Sequence, residues 1–409
     1  MKLHIIDEAE RCLKCKNPLC QKGCPIHTPI PQITQLFMEN KLMEAGKILF
    51  ENNPMSVVCS TVCNHESQCE GNCILGRKSN PIHFSSIENF ISDAYLDRME
   101  IPEIEKKNQE AAVIGAGPAG ITVAIKLALN GYDVTVFEER SKIGGVLQYG
   151  IPEFRLPKTV LTRYKRLMEK LGIQIRPNTV IGSALVIDNL FRDGYSSIFV
   201  GTGVWRPKTI GIQGESLGNV YFGIDYLRRP EAHILGEKVA VIGVGNVAMD
   251  VARTALRNGA KEVTLYARGK NVSASSQEIA YTRLEGAEFA FGMAIDSINE
   301  KGPLFKISKF DENDKIIGYE EELKQEEADA TIICVSQAPK NKLVLTTERL
   351  KSSEKGLLLT DENCMTTCEG VFAAGDVVQG ANTVVHAVEE AKRAAQGMIE
   401  YMENLKDKK

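Results

Sequence analysis

Twice in this 409-residue chain a short apolar run ends in Gly-x-Gly and passes directly into a helical pattern, and no other feature restricts the fold as tightly. In the first instance Ala111-Ala-Val-Ile114 leads into Gly115-Ala-Gly117-Pro118-Ala119-Gly120. Ile121 to Asn130 then carries apolar residues at helical spacing, and Val134-Thr-Val-Phe-Glu138 reads as the next strand. Glycines at these intervals permit a tight turn, bring backbone close to a pyrophosphate and let helix and strand pack closely, while the helix N-terminus faces the phosphates. Glu138 stands where an acid holds a ribose hydroxyl pair. The pattern predicts a βαβ dinucleotide site on a parallel sheet.

The second instance runs from Val239-Ala-Val-Ile242 through Gly243-Val-Gly245-Asn246-Val247-Ala248-Met-Asp250 and a helix to Arg257, then to the strand Val263-Thr-Leu-Tyr266. Ala248 replaces the third glycine, which the pattern tolerates. No acid closes the second strand. Arg268 stands near that place, and a guanidinium can pair with a 2′-phosphate that a carboxylate would repel. Two nucleotides are therefore expected, the second leaning toward NADP. Further on, Ala328 to Val335 reads as a buried strand, Gly370 to Asp376 as another ending in a glycine–acid pair, and about Thr383 to Met402 as a helix. Asp376 falls at the carboxyl end of a parallel strand, where open α/β sheets bind ligands, and a flavin polyol is its expected contact.

Eight of the eleven cysteines lie in the first 73 residues, as Cys12-x2-Cys15-x4-Cys20-x3-Cys24-Pro25 and Cys59-x3-Cys63-x5-Cys69-x3-Cys73. Thiolates so spaced can close around a cubane cluster, and a last cysteine followed by proline is a ferredoxin habit. Structural zinc also uses Cys-x2-Cys pairs, but zinc sites favour four clean ligands and leave the two nucleotide patterns unexplained. Cys334, Cys364 and Cys368 read as small packing residues, and His27, His65 and His386 as hydrogen-bonding residues. A net charge of −4 argues against a nucleic-acid partner. Neither a signal peptide nor an apolar run long enough for a membrane span is seen, so a cytoplasmic protein with no membrane contact is expected. In that compartment clustered cysteines bind metal more often than they form disulfides.

Taken in order, the cysteine segment, the two glycine loops, the stretch Gly144-Gly145-Val-Leu-Gln-Tyr-Gly-Ile-Pro-Glu-Phe-Arg155-Leu-Pro157 and Gly375-Asp376 cover nearly the whole chain. They resemble the glutamate synthase small subunit and the homologous N-terminal part of dihydropyrimidine dehydrogenase. The resemblance implies an α/β fold with two Rossmann-like dinucleotide-binding domains, one inserted in the other, preceded by an α-helical domain holding two 4Fe–4S clusters. Residues 1–106 would form the cluster domain, 107–205 with 330–409 the FAD domain, and 206–329 the NAD(P)H domain.

The same resemblance distributes the site residues. One cluster takes Cys12, Cys15, Cys20 and Cys73; the other takes Cys24, Cys63, Cys69 and Glu88, leaving Cys59 out. Spacing alone would instead build one four-cysteine site from each run. FAD is implied at Gly115, Gly117, Pro118, Ala119, Gly120, Glu138, Gly145, Arg155, Asp376 and Thr383, and the nicotinamide nucleotide at Gly243, Gly245, Asn246, Val247, Ala248 and Arg268. The family's paired arginines are reduced here to Arg268, followed by a short Val272-Ser-Ala274. In this the chain is similar to the NAD-dependent subunit of bacterial dihydropyrimidine dehydrogenase, whereas Glu88 is the glutamate synthase choice, so NADH and NADPH both stay open.

Hydride transfer to flavin and one-electron relay through clusters require no acid–base dyad, and no catalytic side chain is named. No stretch remains for an amidotransferase, a TIM barrel or a pyrimidine site, so the final reduction is expected on a larger partner subunit. That partner is the glutamate synthase large subunit, or another acceptor such as a dihydropyrimidine dehydrogenase subunit or a bifurcating complex. A cluster-based redox sensor without turnover is the remaining reading.

Overall fold

The protein is described by a computed structural model covering residues 2–406. Two five-stranded parallel sheets organise it. The first has the order Val371–Ala373, Ser197–Val200, Glu110–Ile114, Asp133–Phe137, Gln174–Arg176. Strand Glu110–Ile114 is central because the chain leaves it first to one side and later returns on the other. Such a reversal opens a crevice at the carboxyl ends of the strands. The residues after Ile114 are the first glycine loop, so topology and motif coincide. Its strands read Ala-Ala-Val-Ile and Ser-Ile-Phe-Val, buried on both faces as a sheet covered by helices requires.

The second sheet has the order Val220–Phe222, Ala330–Ile333, Lys238–Ile242, Glu262–Ala267, Glu288–Phe291. Lys238–Ile242 occupies the equivalent switch position and runs into the second glycine loop. An antiparallel sheet of Met293–Asn299, Gly302–Phe310 and Ile316–Gln325 follows, its last strand largely exposed and carrying the acidic residues Glu320 to Glu322.

The strand Ala330–Ile333 corrects the sequence-based boundary at 329/330. It pairs in parallel with both Val220–Phe222 and Lys238–Ile242, and without it the strand Val220–Phe222 would have no neighbour. The compact unit built on the second sheet therefore extends to Ala338, comprising Tyr149–Pro152 and Trp205–Ala338. A run of four apolar β-formers shows that a strand exists but not which sheet receives it.

The other compact unit joins residues 1–148, 153–204 and 339–409. Residues 1–106, read as a separate domain, pack within it. Their helices include Ile30–Met38, Leu42–Asn52, Ser56–Val62 and Phe84–Arg98, enclosing a core of Ile33, Leu49, Ile87 and Ile91. Contacts then fasten this segment to the first sheet's helices. Tyr164 donates its buried hydroxyl to the Pro54 carbonyl at 2.7 Å. Arg163 forks onto Asp93 at 2.5 Å and Asp97 at 2.8 Å, and Lys126 donates to the Glu51 carbonyl at 2.5 Å. The polar stretch after residue 100 is also tied down, by Lys106 to Asp133 at 2.6 Å and by Lys107 to Glu403.

Candidate functional site

In the cysteine segment, short helices and tight turns present the thiols. Cys12 follows the helix Lys2–Glu10, and Lys14, in the left-handed region at φ 48°, turns the chain back so that Cys15 can approach. Cys20 lies in the helix Leu19–Gly23, Cys24 caps its end, and Cys73 precedes the turn Ile74–Arg77. A cavity of about 80 Å³ opens among Cys12, Cys15, Cys20, Cys73 and Cys69, walled by apolar residues such as Phe84. Burial pushes the Cys12 thiol up and that of Cys20 up to about 11, and both feel the charges of Cys15 and Cys73. These four thus share one neighbourhood although Cys73 comes from the second run.

A second neighbourhood gathers Cys24, Cys63, Cys69 and Glu88. Burial raises Cys24 and Cys69, and each lies close enough to Glu88 for their charges to repel. Cys63 is raised by a hydrogen bond with Cys59, by burial and by the charges of Glu88 and Cys69. Glu88 is only 6% exposed, on the helix face that also buries Phe84, Ile87 and Ile91, and desolvation holds its carboxyl well above the usual range. An acid in an apolar stripe beside three thiols is costly unless a cation compensates it. Cys59 borders the same region, buried and hydrogen-bonded to Cys63 and the Asn53 side chain. Among the described residues no three His, Cys, Asp or Glu converge tightly enough for a single metal ion. Soft thiols ringed by apolar walls fit iron–sulfur clusters.

The first glycine loop is shaped for a pyrophosphate. Gly117 caps the helix Pro118–Leu129, whose first residue is proline, the usual occupant of a position that needs no N–H. Ala119 and Gly120 complete the first helical turn. At Gly120 a Cβ would stand 1.9 Å from the Gly115 carbonyl oxygen, so only glycine lets this helix meet its strand. Gly144 donates to the Ala116 carbonyl at 2.7 Å, and a Cβ on Gly145, at φ 53°, would stand 2.8 Å from the Gly117 Cα. Two glycine turns therefore press together and leave a cradle of bare backbone. At the edge of that cradle Glu138 accepts from the N–H groups of Ala116 at 2.8 Å and Arg140 at 2.9 Å, its pKa raised by burial. Asp376 follows Gly375, burial brings its carboxyl up to about 6, and it accepts from the Asn382 N–H at 3.2 Å. Thr383 shares a 2.6 Å hydrogen bond with His386. Arg155 is half-buried in the stretch after Gly145. The bare-backbone cradle with an acid at its rim fits a dinucleotide such as FAD.

In the second unit Gly243 turns at the strand end, Gly245 caps the helix Asn246–Arg257, and Val247 and Ala248 lie in its first turn. The Asn246 side chain accepts from the Ser275 N–H at 3.1 Å, and Ser273 and Ala274 donate backbone N–H groups to the Val244 carbonyl. Arg253, buried in that helix, pairs with Glu278 at 2.7 Å and Glu285 at 2.9 Å and ties it to the helix Ser276–Leu284. Arg268 stands exposed just past the strand Glu262–Ala267, its carbonyl accepting from the Ser308 hydroxyl at 2.8 Å.

Residues 109–391 match the sequence profile of pyridine nucleotide-disulphide oxidoreductases, and residues 1–100 that of dihydropyrimidine dehydrogenase domain II with its 4Fe–4S cluster. The chain belongs to the pyridine nucleotide-disulphide oxidoreductase family. FAD, NAD(P)H and iron–sulfur clusters are accordingly its cofactors. Along 97% of its length it is 34% identical to the glutamate synthase (NADPH) small chain of Halomonas elongata, covering 90% of that protein. It is 32% identical to the NAD-dependent dihydropyrimidine dehydrogenase subunit PreT of Escherichia coli K12, with 98% and 95% of the two chains covered. Mycobacterium tuberculosis FprA in complex with NADPH shares the fold, with a TM-score of 0.61, 16% identity, and 73% of this chain and 85% of that one covered. The resemblance read from the sequence is thereby borne out.

Several residues of this oxidoreductase were not legible beforehand. Glu390 accepts from the Gly375 N–H at 2.7 Å and so braces the turn before Asp376. Its position in the long helix Val384–Lys406 gives no sequence signal. Likewise Ser273 and Ser275 carry no motif that marks them, although their backbone N–H groups fix the second glycine loop.

Proposed function

We propose that this chain is the electron-input subunit of a two-part enzyme, oxidising NAD(P)H and delivering the electrons to a glutamate synthase large subunit. The observation that carries the reading is one chain holding two switch-point glycine loops and two neighbourhoods of thiols, aligned over 97% of its length with a glutamate synthase small chain. When bound, FAD accepts a hydride from the nicotinamide and releases electrons one at a time, which clusters can carry. The chain's own residues hold and orient these groups.

Cys12, Cys15, Cys20 and Cys73 hold one cluster; Cys24, Cys63, Cys69 and Glu88 hold the other. The backbone at Gly115, Gly117, Pro118, Ala119, Gly120 and Gly145 receives the FAD pyrophosphate, Glu138 its ribose, and Arg155, Asp376 and Thr383 the rest of the flavin nucleotide. Gly243, Gly245, Asn246, Val247 and Ala248 receive the nicotinamide nucleotide, with Arg268 at the ribose end. No side chain needs to exchange a proton with substrate. None of the eleven cysteines is in a disulfide, which leaves seven of them available to the clusters, and no described helix is long and apolar enough to cross a membrane.

Anaerobic recombination tests the partner. Mixed with a glutamate synthase large subunit, the chain is expected to support NAD(P)H-dependent glutamate formation that neither protein shows alone. A second reading is favoured by the lone Arg268 and by the 95% coverage of the PreT subunit. On that reading, recombination with a dihydropyrimidine dehydrogenase catalytic subunit gives NADH-linked turnover instead. Failure with the synthase subunit and success with the dehydrogenase subunit would replace the first reading by the second.

A further inference from the structure

From the helix Val384–Lys406, two residues beyond Glu390, Lys392 reaches into the cysteine segment. Its Nζ donates to Asn52 Oδ1 at 3.0 Å, Asn52 Nδ2 donates to Thr28 Oγ1 at 3.2 Å, and Thr28 Oγ1 stands 3.4 Å from Cys24 Sγ. Direction is built into this sequence of contacts. An ammonium can only donate, so it holds the amide oxygen of Asn52 toward itself and the amide nitrogen toward Thr28. A hydroxyl has a single proton. With an Asn52 N–H already occupying a lone pair of Thr28, that proton is left to point at the sulfur. A metal-bound Cys24 thiolate can only accept it. Thr28 is 2% exposed, so water does not compete readily for the contact. Burial and the neighbouring Lys126 bring the Lys392 ammonium down to about 8, which keeps it a donor at neutral pH.

We propose that Lys392, Asn52 and Thr28 are positioning residues that set the reduction potential of the cluster bound through Cys24. The inference rests on the reading of Cys24 as a cluster ligand. A proton donated to a ligating sulfur withdraws electron density and favours the reduced, more negative cluster, so it raises the potential. Lys392 belongs to the helix that begins beside Thr383, a proposed flavin contact, so the hydrogen bond to sulfur is set from the flavin-binding part of the chain.

A mediated redox titration with low-temperature EPR on the anaerobically purified full chain tests this. Thr28→Val removes the donated proton without changing charge and is expected to lower the midpoint of one cluster while iron content stays at the wild-type level. Asn52→Asp offers the hydroxyl only acceptors, turns its proton away from the sulfur and lowers the same midpoint. Lys392→Met releases the amide and acts in the same direction, whereas Thr28→Ser and Lys392→Arg retain donors and wild-type midpoints. Unchanged midpoints in Thr28→Val and Asn52→Asp, with iron intact, would overturn the proposal. Should Thr28→Val fail to fold, Thr28→Ala, which also removes the donated proton without changing charge, decides alone. Cys24→Ala separates cluster ligation from tuning. Full iron and unaltered signals there would mean that Cys24 is not a ligand, whereas a lost cluster there, beside unchanged midpoints in the other variants, would sink the tuning alone.

Discussion

Glu88→Ala is expected to lower iron from about eight to about four atoms per chain, while Cys59→Ala keeps both clusters. The two residues are neighbours with opposite expected behaviour. Glu88 occupies the buried face of the helix Phe84–Arg98, where Phe84, Ile87 and Ile91 would lead one to expect another apolar side chain, and burial alone disfavours its charged form. On the proposed ligation, iron would supply the positive charge that makes a carboxylate there tolerable. Cys59 is also buried, but its thiol is engaged with Cys63 and Asn53, and the proposed ligand set of Cys24, Cys63, Cys69 and Glu88 is complete without it. Glu88→Gln, which keeps a carbonyl oxygen in place, should retain more iron than Glu88→Ala. Iron and acid-labile sulfide assays with EPR decide the matter. Loss of a cluster in Cys59→Ala would overturn the ligand assignment.

Gly120→Ala is expected to strip the chain of FAD. A Cβ placed 1.9 Å from the Gly115 carbonyl meets backbone, which cannot swing aside as a flexible side chain would. The helix Pro118–Leu129 must then retreat from its strand, at a cost of about 3 kcal/mol, and its N-terminal N–H groups leave the pyrophosphate position. Flavin absorbance per chain and a thermal melt report the two effects. The second loop gives an internal comparison. Ala248, fully buried, already occupies the corresponding position, so Ala248→Gly there should cost only about 1 kcal/mol. Wild-type flavin content in Gly120→Ala would show that the first helix does not need this contact.

The readable parts of this protein were those where chemistry forces residue type. Gly115 to Gly120 and Gly243 to Ala248 announced themselves because backbone must approach phosphate, and both loops lie at switch points of parallel sheets. Spacing announced the cysteines but not their grouping, because which thiols meet depends on how the turns at Lys14 and around Cys69 fold back. Glu88 could have been singled out on physical grounds, as an acid in an apolar helical stripe. By contrast Glu390, Ser275, Thr28 and Asn52 act through ordinary polar side chains or backbone groups whose partners come from distant segments. The same limit misplaced the strand Ala330–Ile333, whose apolar residues suit either sheet.

This chain takes electrons from a nicotinamide nucleotide through its own flavin. Anaerobic mixing of the purified chain with NADH and, separately, NADPH, followed by flavin absorbance and reduction of a one-electron dye, tests it most directly. Flavin bleaching and dye turnover with at least one nucleotide are the expected result; no bleaching and no turnover with either would contradict it.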